Sequence, residues 1–435
     1  MKLRPFELTV IIIFAVTMVI SLFYVKFYKP NPKPSEGGLG QVGPVVIWGT
    51  LPDEGISSLL RKFTQEDESY KNVSYKYFKP EEFDQKLLVA LADGEGPDMI
   101  LVSQEKLVAM RKRIAPIDYK YFPKRNIRDL YVDGAAIFAL SDGVYGYPLV
   151  LDPLVMYWNR TILANHNYLS APATWEELVN DMFPNLIKRT FDRTITRSVV
   201  AMGEYDNINN AFGIISLLTL QTGSQLVRDA GNGRYINKLN VTADGKPALV
   251  PALDFYTRFS KSSNSLYSWN GSFVLDRERF VTGDLVFYFG FGSEARRLEK
   301  INPNFDFDIA EVPQGEGASV RRTYGKIYAL SVLRTANNPG GAARVATNLT
   351  RPEKMSQIAS VYNMAPALRS SVAKGSNDIY GRVIYGSANI AYGWLNPGRQ
   401  AADRIISGAV SDINENRNSV SGAVSEMISG LNNSY

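Results

Sequence analysis

Strand and helix patterns alternate between residues 44 and 102, and this alternation limits the possible folds more than any other feature of the sequence. Short apolar segments at 44–50, 73–78 and 98–102 have the length and composition of strands, and a helix-forming segment follows each of the first two. The order predicts a mostly parallel sheet with helices on both faces. Because ligands of such sheets bind beyond the carboxyl ends of the strands, we expect a crevice near Trp48–Thr50 and Ser103–Gln104.

The length of 435 residues exceeds the size at which a single hydrophobic core keeps growing, so two lobes are expected. The content of 45% hydrophobic and 21% charged residues is ordinary for a globular protein. A net charge of +5 is weak, and the basic residues are scattered. The one short basic run, Met110–Arg113, is interpreted as a solvated helix end, so no nucleic-acid surface is predicted.

Several kinds of chemistry are excluded by composition. The chain has no cysteine and a single histidine, His166, which lies in a polar loop and is expected at the surface. Thiol nucleophiles, disulfides and two-histidine metal sites are therefore impossible. Asp306 and Asp308 alternate with apolar residues and predict the exposed face of a strand rather than a calcium site. There is no P-loop, so the chain is not an ATPase, and no metal or cofactor is predicted.

Residues 8–25 form an uncharged apolar segment long enough to span about 27 Å as a helix. The alternative is a cleaved signal peptide, but the segment ends in bulky aromatic residues rather than in a small-residue cleavage site. We therefore predict an uncleaved transmembrane anchor that follows a short cytoplasmic N-terminus, residues 1–7. The charges on its two sides do not decide its orientation. Residues 26–43, rich in Pro and then Gly, predict a stalk.

The segment from Gly143 to Leu178 predicts a passage between the two lobes. Its first half alternates apolar and polar residues, with Pro148 and Asp152–Pro153 as breaks, and is interpreted as strand, kink and strand. Its second half ends in Thr174-Trp175-Glu176-Glu177, which has the pattern of a capping box that starts a helix.

Five motifs occur in order along about 320 residues and resemble those of family 1 extracellular solute-binding proteins, the sugar-capturing subunits of ABC importers. In chain order they are Phe83–Leu87 with Gly94–Asp98, Gly143–Leu178, Phe280–Gly290, Phe307–Gly315 and Met364–Ala367. An apolar strand, Lys326–Val332, and a second capping-box pattern, Thr350–Glu353, precede the last motif. The resemblance begins at Pro44 and excludes only the anchor and the stalk.

The resemblance implies an α/β, two-lobed fold of the periplasmic-binding-protein type II, with a hinge, which one transmembrane helix would precede. The chain would cross between the lobes near Asp152–Pro153, Tyr324–Gly325 and Ala365–Ala367. One lobe would then contain residues 44–152 and 325–366, and the other 153–324 and 367–435. The resemblance also implies that the main domain lies outside the cell, or in the periplasm, and that its partner is an ABC permease.

A sugar site needs aromatic faces for the apolar side of the ring and carboxylates or amides for its hydroxyls. The predicted ligand-binding residues are Trp48, Thr50, Asp98, Ser103, Asp152, Asp206, Asn207, Asn209, Phe289, Phe291 and Trp394. Trp394 lies where related proteins stack a sugar ring, and Asp152 where they often place a ligand-pairing carboxylate. Two alternatives stay open: Trp48 could pack on a helix, and Asp152 could stabilise the hinge. Trp175, inside the capping box, is interpreted as structural.

The resulting hypothesis is a membrane-anchored binding protein, not an enzyme, that captures a carbohydrate or a similar polar solute and delivers it to an import permease. An extracellular sensor or adhesion module without transport is one alternative. A glycosidase with paired carboxylates is another.

Overall fold

The computed structural model of the protein describes residues 42–223, 226–241 and 248–435. The predicted cytoplasmic N-terminus, the transmembrane anchor and all but the end of the stalk lie outside these ranges. Within them, no helix combines the length and the apolar character needed to cross a membrane. Residues 42–435 group into one compact unit.

The described strands are β1 (Val45–Gly49), β2 (Val73–Tyr77), β3 (Met99–Ser103), β4 (Ala139–Leu140), β5 (Gly143–Val144), β6 (Tyr147–Asn159), β7 (Lys188–Arg189), β8 (Ile195–Val200), β9 (Val227–Gly231), β10 (Arg234–Asn237), β11 (Leu285–Phe291), β12 (Phe307–Ala310), β13 (Thr323–Val332), β14 (Ala365–Pro366) and β15 (Ala391–Tyr392).

The described α-helices are α1 (Asp53–Glu66), α2 (Pro80–Ala92), α3 (Leu107–Met110), α4 (Lys124–Leu130), α5 (Arg160–Asn165), α6 (Trp175–Glu177), α7 (Phe183–Leu186), α8 (Ala211–Gln221), α9 (Leu249–Arg258), α10 (Asp276–Val281), α11 (Ala295–Ile301), α12 (Pro339–Leu349), α13 (Pro352–Tyr362), α14 (Arg369–Ala373), α15 (Gly381–Asn389), α16 (Arg399–Asn414) and α17 (Val420–Asn432). A π-helical turn, Leu178–Met182, joins α6 to α7, and a 3₁₀ turn, Asp133–Phe138, precedes β4.

The largest described sheet has the central order β2-β1-β3-β13-β6-β11-β8-β7. Strand β1 pairs in parallel with both β2 and β3, as the alternation of strands and helices predicted. Ile56 and Phe63 on α1 are buried, because the apolar face of this helix covers the sheet. Trp48 and Phe78 pack together, with ring centroids 4.5 Å apart.

Strand β6 connects the two halves of this sheet. The predicted kink is not a break, because residues 147–159 form one continuous strand. Its partners change in the middle, however. Residues up to Pro153 pair with β13, and residues from Leu154 onward pair with β11. Gly325 lies opposite Pro153, and Ala365 lies opposite Leu151, so the three expected crossing segments are neighbours in the sheet.

The two capping-box patterns have different outcomes. The Thr174 hydroxyl accepts a hydrogen bond from the Glu177 backbone N–H at 3.1 Å. The Glu177 carboxylate accepts from the N–H of Ala173 rather than from that of Thr174, so only half of the expected box forms. At the second pattern the prediction is wrong: Thr350 donates back to the Ala346 carbonyl inside α12 instead of capping α13. Tertiary placement decides which hydroxyl faces a free N–H.

The cap at Thr174 gives a measurable expectation. Thr174→Ala should lower the free energy of unfolding by about 1 kcal/mol, because one N–H of the first helical turn loses its partner. Urea denaturation measures the change. As a control, Thr347→Ala on the exposed side of α12 should change stability by less than about 0.5 kcal/mol. Equal effects of the two substitutions would contradict a capping role.

Candidate functional site

A cavity of about 400 Å³ is the candidate ligand site. Its walls come from the 3₁₀ turn that begins at Asp133, the end of α8, the first residues of β9, Arg322, and the segment Tyr392–Leu395. The volume is in the lower part of the range of about 300–1,000 Å³ that is usual for small-molecule pockets. Apolar walls with a few converging polar groups are the composition expected of such a pocket.

Trp394 lines this cavity from a fixed position. Its ring stacks on Phe212, with centroids 5.6 Å apart and planes 17° apart. Its indole N–H donates to the Ser216 hydroxyl at 3.0 Å. Only 4% of the residue is exposed. Packing and a hydrogen bond therefore fix the orientation of the indole ring in the cavity wall.

The polar wall is built around Asp133. The Tyr392 hydroxyl donates to this carboxylate at 2.9 Å, and Arg369 forms an ion pair with it. The Arg322 guanidinium lies 4.0 Å from the centre of the Tyr392 ring. Burial on its own raises the pKa of Asp133, but the hydrogen bonds from Arg369 and Tyr392 and the nearby Arg322 charge hold that pKa below its ordinary value. The carboxylate is therefore ionised near neutral pH.

Strand β9 contributes Val227, Arg228 and Asp229 to the cavity lining, and the hairpin β9–β10 is held by Arg111. This guanidinium donates to Asp229 at 3.1 Å, to the Tyr235 hydroxyl at 3.2 Å and to Asp142 at 2.9 Å. The Tyr145 ring centre lies 5.4 Å from it. Only 8% of the Arg111 side chain is exposed. We call this cluster of five side chains the Arg111 clamp. It fixes the hairpin beside the cavity.

The predicted crevice beyond β3 is filled by the protein's own side chains. Glu105 accepts from the Tyr324 hydroxyl at 2.6 Å and from Arg399 at 3.0 Å. Arg399 also donates to Asp403 at 2.7 Å. The Gln104 amide donates to the Gly325 carbonyl at 3.0 Å. Burial on its own raises the pKa of Glu105, but the charges of Arg399 and Lys326 and the hydrogen bonds from Tyr324 and Arg399 together hold that pKa below its ordinary value, so the carboxylate is ionised near neutral pH.

Trp48, Thr50 and Ser103 do not line this cavity. Trp48 is 8% exposed and packs on Phe78, with the Lys76 ammonium 5.1 Å from its ring centre. It borders a separate groove of about 510 Å³ beside α2. Thr50 follows β1, and Ser103 is buried at the end of β3.

Two of the predicted carboxylates accept hydrogen bonds from backbone N–H groups. Asp98 accepts from the N–H of Val46 at 2.9 Å and of Asn338 at 2.8 Å, which joins β1 to the start of α12. Asp152 accepts from both the N–H and the hydroxyl of Ser293, at 3.0 and 2.6 Å. Burial raises the pKa of Asp152 to about 7. Both carboxylates are outside the cavity lining, and Asp152 joins β6 to Ser293.

The predicted polar residues before α8 form hydrogen bonds with other residues of the protein. Asn207 accepts from the Trp269 indole at 2.9 Å, and the Asn209 backbone N–H donates to Asp276 at 3.0 Å. Asp206 is exposed. None of the three predicted residues lines the cavity.

The two predicted crevice phenylalanines are core residues. The Phe289 ring lies 5.7 Å from Trp175, which is buried as its structural interpretation predicted. The Phe291 ring lies 6.2 Å from Tyr324, with the Lys326 ammonium 4.0 Å from its centre. Of the predicted ligand-binding residues, Trp394 lines the 400 Å³ cavity.

Sequence reasoning missed Asp133, Arg322 and the Glu105–Arg399 pair. A signal existed only for Glu105, which lies two residues beyond Ser103 at the strand end where ligands were expected. Asp133 and Arg322 stand in segments without a local motif, and Arg399 begins a helix that is far away in sequence.

Comparison with known proteins defines the class. Residues 58–379 match the family described as bacterial extracellular solute-binding protein. Because the match spans most of the chain, the protein belongs to this family, and the resemblance seen in the sequence is confirmed. The family and the similar structures are binding proteins, which confirms the prediction that the chain is not an enzyme.

Individual relatives agree with this assignment. The maltodextrin-binding protein MdxE of Bacillus subtilis (strain 168) is 28% identical over 155 residues, which cover 34% of this chain and 32% of that protein. The match thus spans about a third of the length of the curated relative.

Solved structures show the fold. The sugar-binding protein MalE of Xanthomonas citri is 16% identical with a TM-score of 0.70, over 90% of this chain and 97% of that one. A solute-binding protein of Thermotoga lettingae TMO, bound to α-D-tagatose, is 18% identical with a TM-score of 0.65, over 90% and 99%. The two-lobed α/β fold of solute-binding proteins is therefore confirmed.

Proposed function

We propose that this protein is a membrane-anchored extracellular solute-binding protein that captures a carbohydrate between its two lobes and delivers it to an ABC import permease. The observation that carries the proposal is the 400 Å³ cavity, in which Trp394 and Tyr392 meet Asp133 and Arg322. An aromatic surface beside charged hydrogen-bonding groups is the composition that a sugar requires. Membership of the family supports the transport role.

The capture mechanism is a hinge closure. We place the crossings between lobes at Asp152–Pro153, Tyr324–Gly325 and Ala365–Ala367, with the lobe boundaries expected from the sequence. The partner exchange along β6 supports the first crossing. A ligand that contacts both lobes only in the closed state favours closure by its differential affinity.

The anchor is the apolar segment 8–25, followed by the stalk 26–43. In this arrangement the stalk holds the two-lobed body at the outer face of the membrane, near the permease. The extracellular character of the family supports this side of the membrane.

Trp394→Ala tests the site. After a thermal-shift screen has identified a stabilising sugar, calorimetry should show binding weakened by on the order of 1–3 kcal/mol, because buried aromatic area is lost. Trp48→Ala is the matched control, since this tryptophan is about as buried but lines another groove. It should lower stability and leave affinity unchanged. Unchanged affinity in Trp394→Ala would contradict the assignment of this cavity as the sugar-binding site.

A further inference from the structure

We infer that the cavity selects a saccharide that carries a carboxylate, and that Arg322 is the residue that selects it. This inference rests on the proposed function and names the class of its ligand.

Arg322 presents a guanidinium group that no carboxylate of the described residues pairs with. Its side chain donates to the Arg321 carbonyl at 3.1 Å. Among the described residues it makes no ion pair within 4 Å, although it lines the cavity and is only partly exposed. A guanidinium has five N–H donors, so most of the donors of Arg322 are available to a ligand.

The carboxylates of the cavity already have partners. Asp133 is paired with Arg369 and accepts from Tyr392. Asp229 is paired with Arg111 and also accepts from the Ser141 backbone N–H at 2.7 Å. Neither carboxylate therefore balances Arg322 at ion-pair distance. Within the described part of the chain no carboxylate forms an ion pair with Arg322, so a ligand carboxylate could take this position.

A second cation, on an exposed residue, also belongs to the cavity lining. Arg228, in β9, lines the cavity and, within the described part of the chain, also has no ion pair. Two guanidinium groups in one cavity lining, neither paired with a carboxylate of the described residues, favour a carboxylate over a neutral hydroxyl, because a charge-assisted hydrogen bond is about twice as strong as a neutral one.

The geometry of Arg322 suits a planar anion. Its guanidinium lies 4.0 Å from the Tyr392 ring centre, and this contact restricts the side chain before a ligand arrives. A restricted planar fork can bind both oxygens of one carboxylate. The apolar wall formed by Leu220, Leu226 and Val227 is left for the C–H face of a sugar ring.

Calorimetry on the purified full-length protein tests the inference with matched ligands: glucuronate against glucose, and galacturonate against galactose. We expect at least one acid to bind ten times or more tighter than its neutral parent, and added salt to reduce this preference. Arg322→Gln should remove the preference, whereas Arg322→Lys should keep part of it because the charge remains without the fork.

Arg321→Gln is the matched control, since this neighbouring arginine is exposed, pairs with Glu311 and does not line the cavity. It should leave the preference intact, and thermal melting confirms that each variant is folded. Equal or tighter binding of the neutral sugars, or a preference that survives in Arg322→Gln, overturns the inference while the proposed function stands. If neither acids nor neutral sugars bind or stabilise the protein, the proposed function fails as well.

Discussion

Arg111→Ala is expected to lower the free energy of unfolding by about 3 kcal/mol. The substitution leaves Asp229, whose side chain is 7% exposed, without its cation, and removing one partner of a buried ion pair costs about 3–5 kcal/mol. We expect the lower end because Asp229 keeps the hydrogen bonds from the backbone of Ser141 and Gly231. The contribution of Asp142 is small, since half of its side chain is exposed. Urea denaturation measures the loss.

The same substitution should release the hairpin β9–β10 before the rest of the protein unfolds. Backbone amide hydrogen exchange of residues 227–237 should become faster, because the Arg111 clamp no longer holds the hairpin β9–β10 in place. Lys112→Ala changes the adjacent exposed cation and should alter neither stability nor exchange. A loss below about 1 kcal/mol in Arg111→Ala would show that the clamp does not stabilise the folded state.

Asp152→Asn is expected to reduce the pH dependence of stability between pH 5 and 7. Burial raises the pKa of Asp152 to about 7, from an ordinary value of 3.8. The folded protein therefore binds this proton more tightly than the unfolded chain does. The stabilisation is complete below about pH 4 and is lost as the pH rises through 7. One such group changes stability by about 1.4 kcal/mol per pH unit inside that window.

One other carboxyl group acts in the same pH range, and two act in a lower range. Asp276, also buried, has its pKa raised to about 7 and should add a second contribution of the same sign. Glu105 and Glu294 have lowered pKa values, so the stability that they contribute is lost only as the pH falls below about 4.5. Between pH 5 and 7, the wild-type protein should therefore become less stable as the pH rises.

Urea denaturation at pH 5, 6 and 7 gives the slope. Asp152→Asn should remove about 2 kcal/mol of the wild-type change over this interval, while the amide oxygen still accepts from the Ser293 backbone. Asp254→Asn, at an exposed position on α9, should keep the wild-type slope. An identical slope in Asp152→Asn would mean that this carboxyl titrates normally in the folded protein.

Predictions from the sequence were best where the relevant contacts are local. The alternation of apolar strand segments and helix-forming segments between residues 44 and 102 identified β1 to β3 and the helices α1 and α2 between them, because each element depends on the spacing of neighbouring residues. The parallel arrangement of β1 to β3 followed from the same kind of pattern. The cap at Thr174 formed and the one at Thr350 did not, because the second depends on the path of the chain before α13.

The candidate site was mostly beyond the reach of such patterns. Arg111 and Asp229 are 118 residues apart, and Glu105 and Arg399 are 294 residues apart. Charged residues at such separations are surrounded in the sequence by many equally plausible partners. Trp394 was identified only through the resemblance to a family whose members place a sugar-stacking residue there.

The sequence by itself predicted an α/β sheet from its periodicity, which reflects local geometry, and a two-lobed binding protein from its resemblance to a known family, which reflects shared ancestry. The tertiary structure alone decided which polar side chains are occupied and which remain available. In the folded protein Glu105 and Arg399 fill the expected crevice with an ion pair. Asp98 and Asp152 accept hydrogen bonds from backbone N–H groups, and Arg322 lines the cavity. The physical reason is that whether a charge has a partner depends on distances across the fold, and these are not encoded in any short segment.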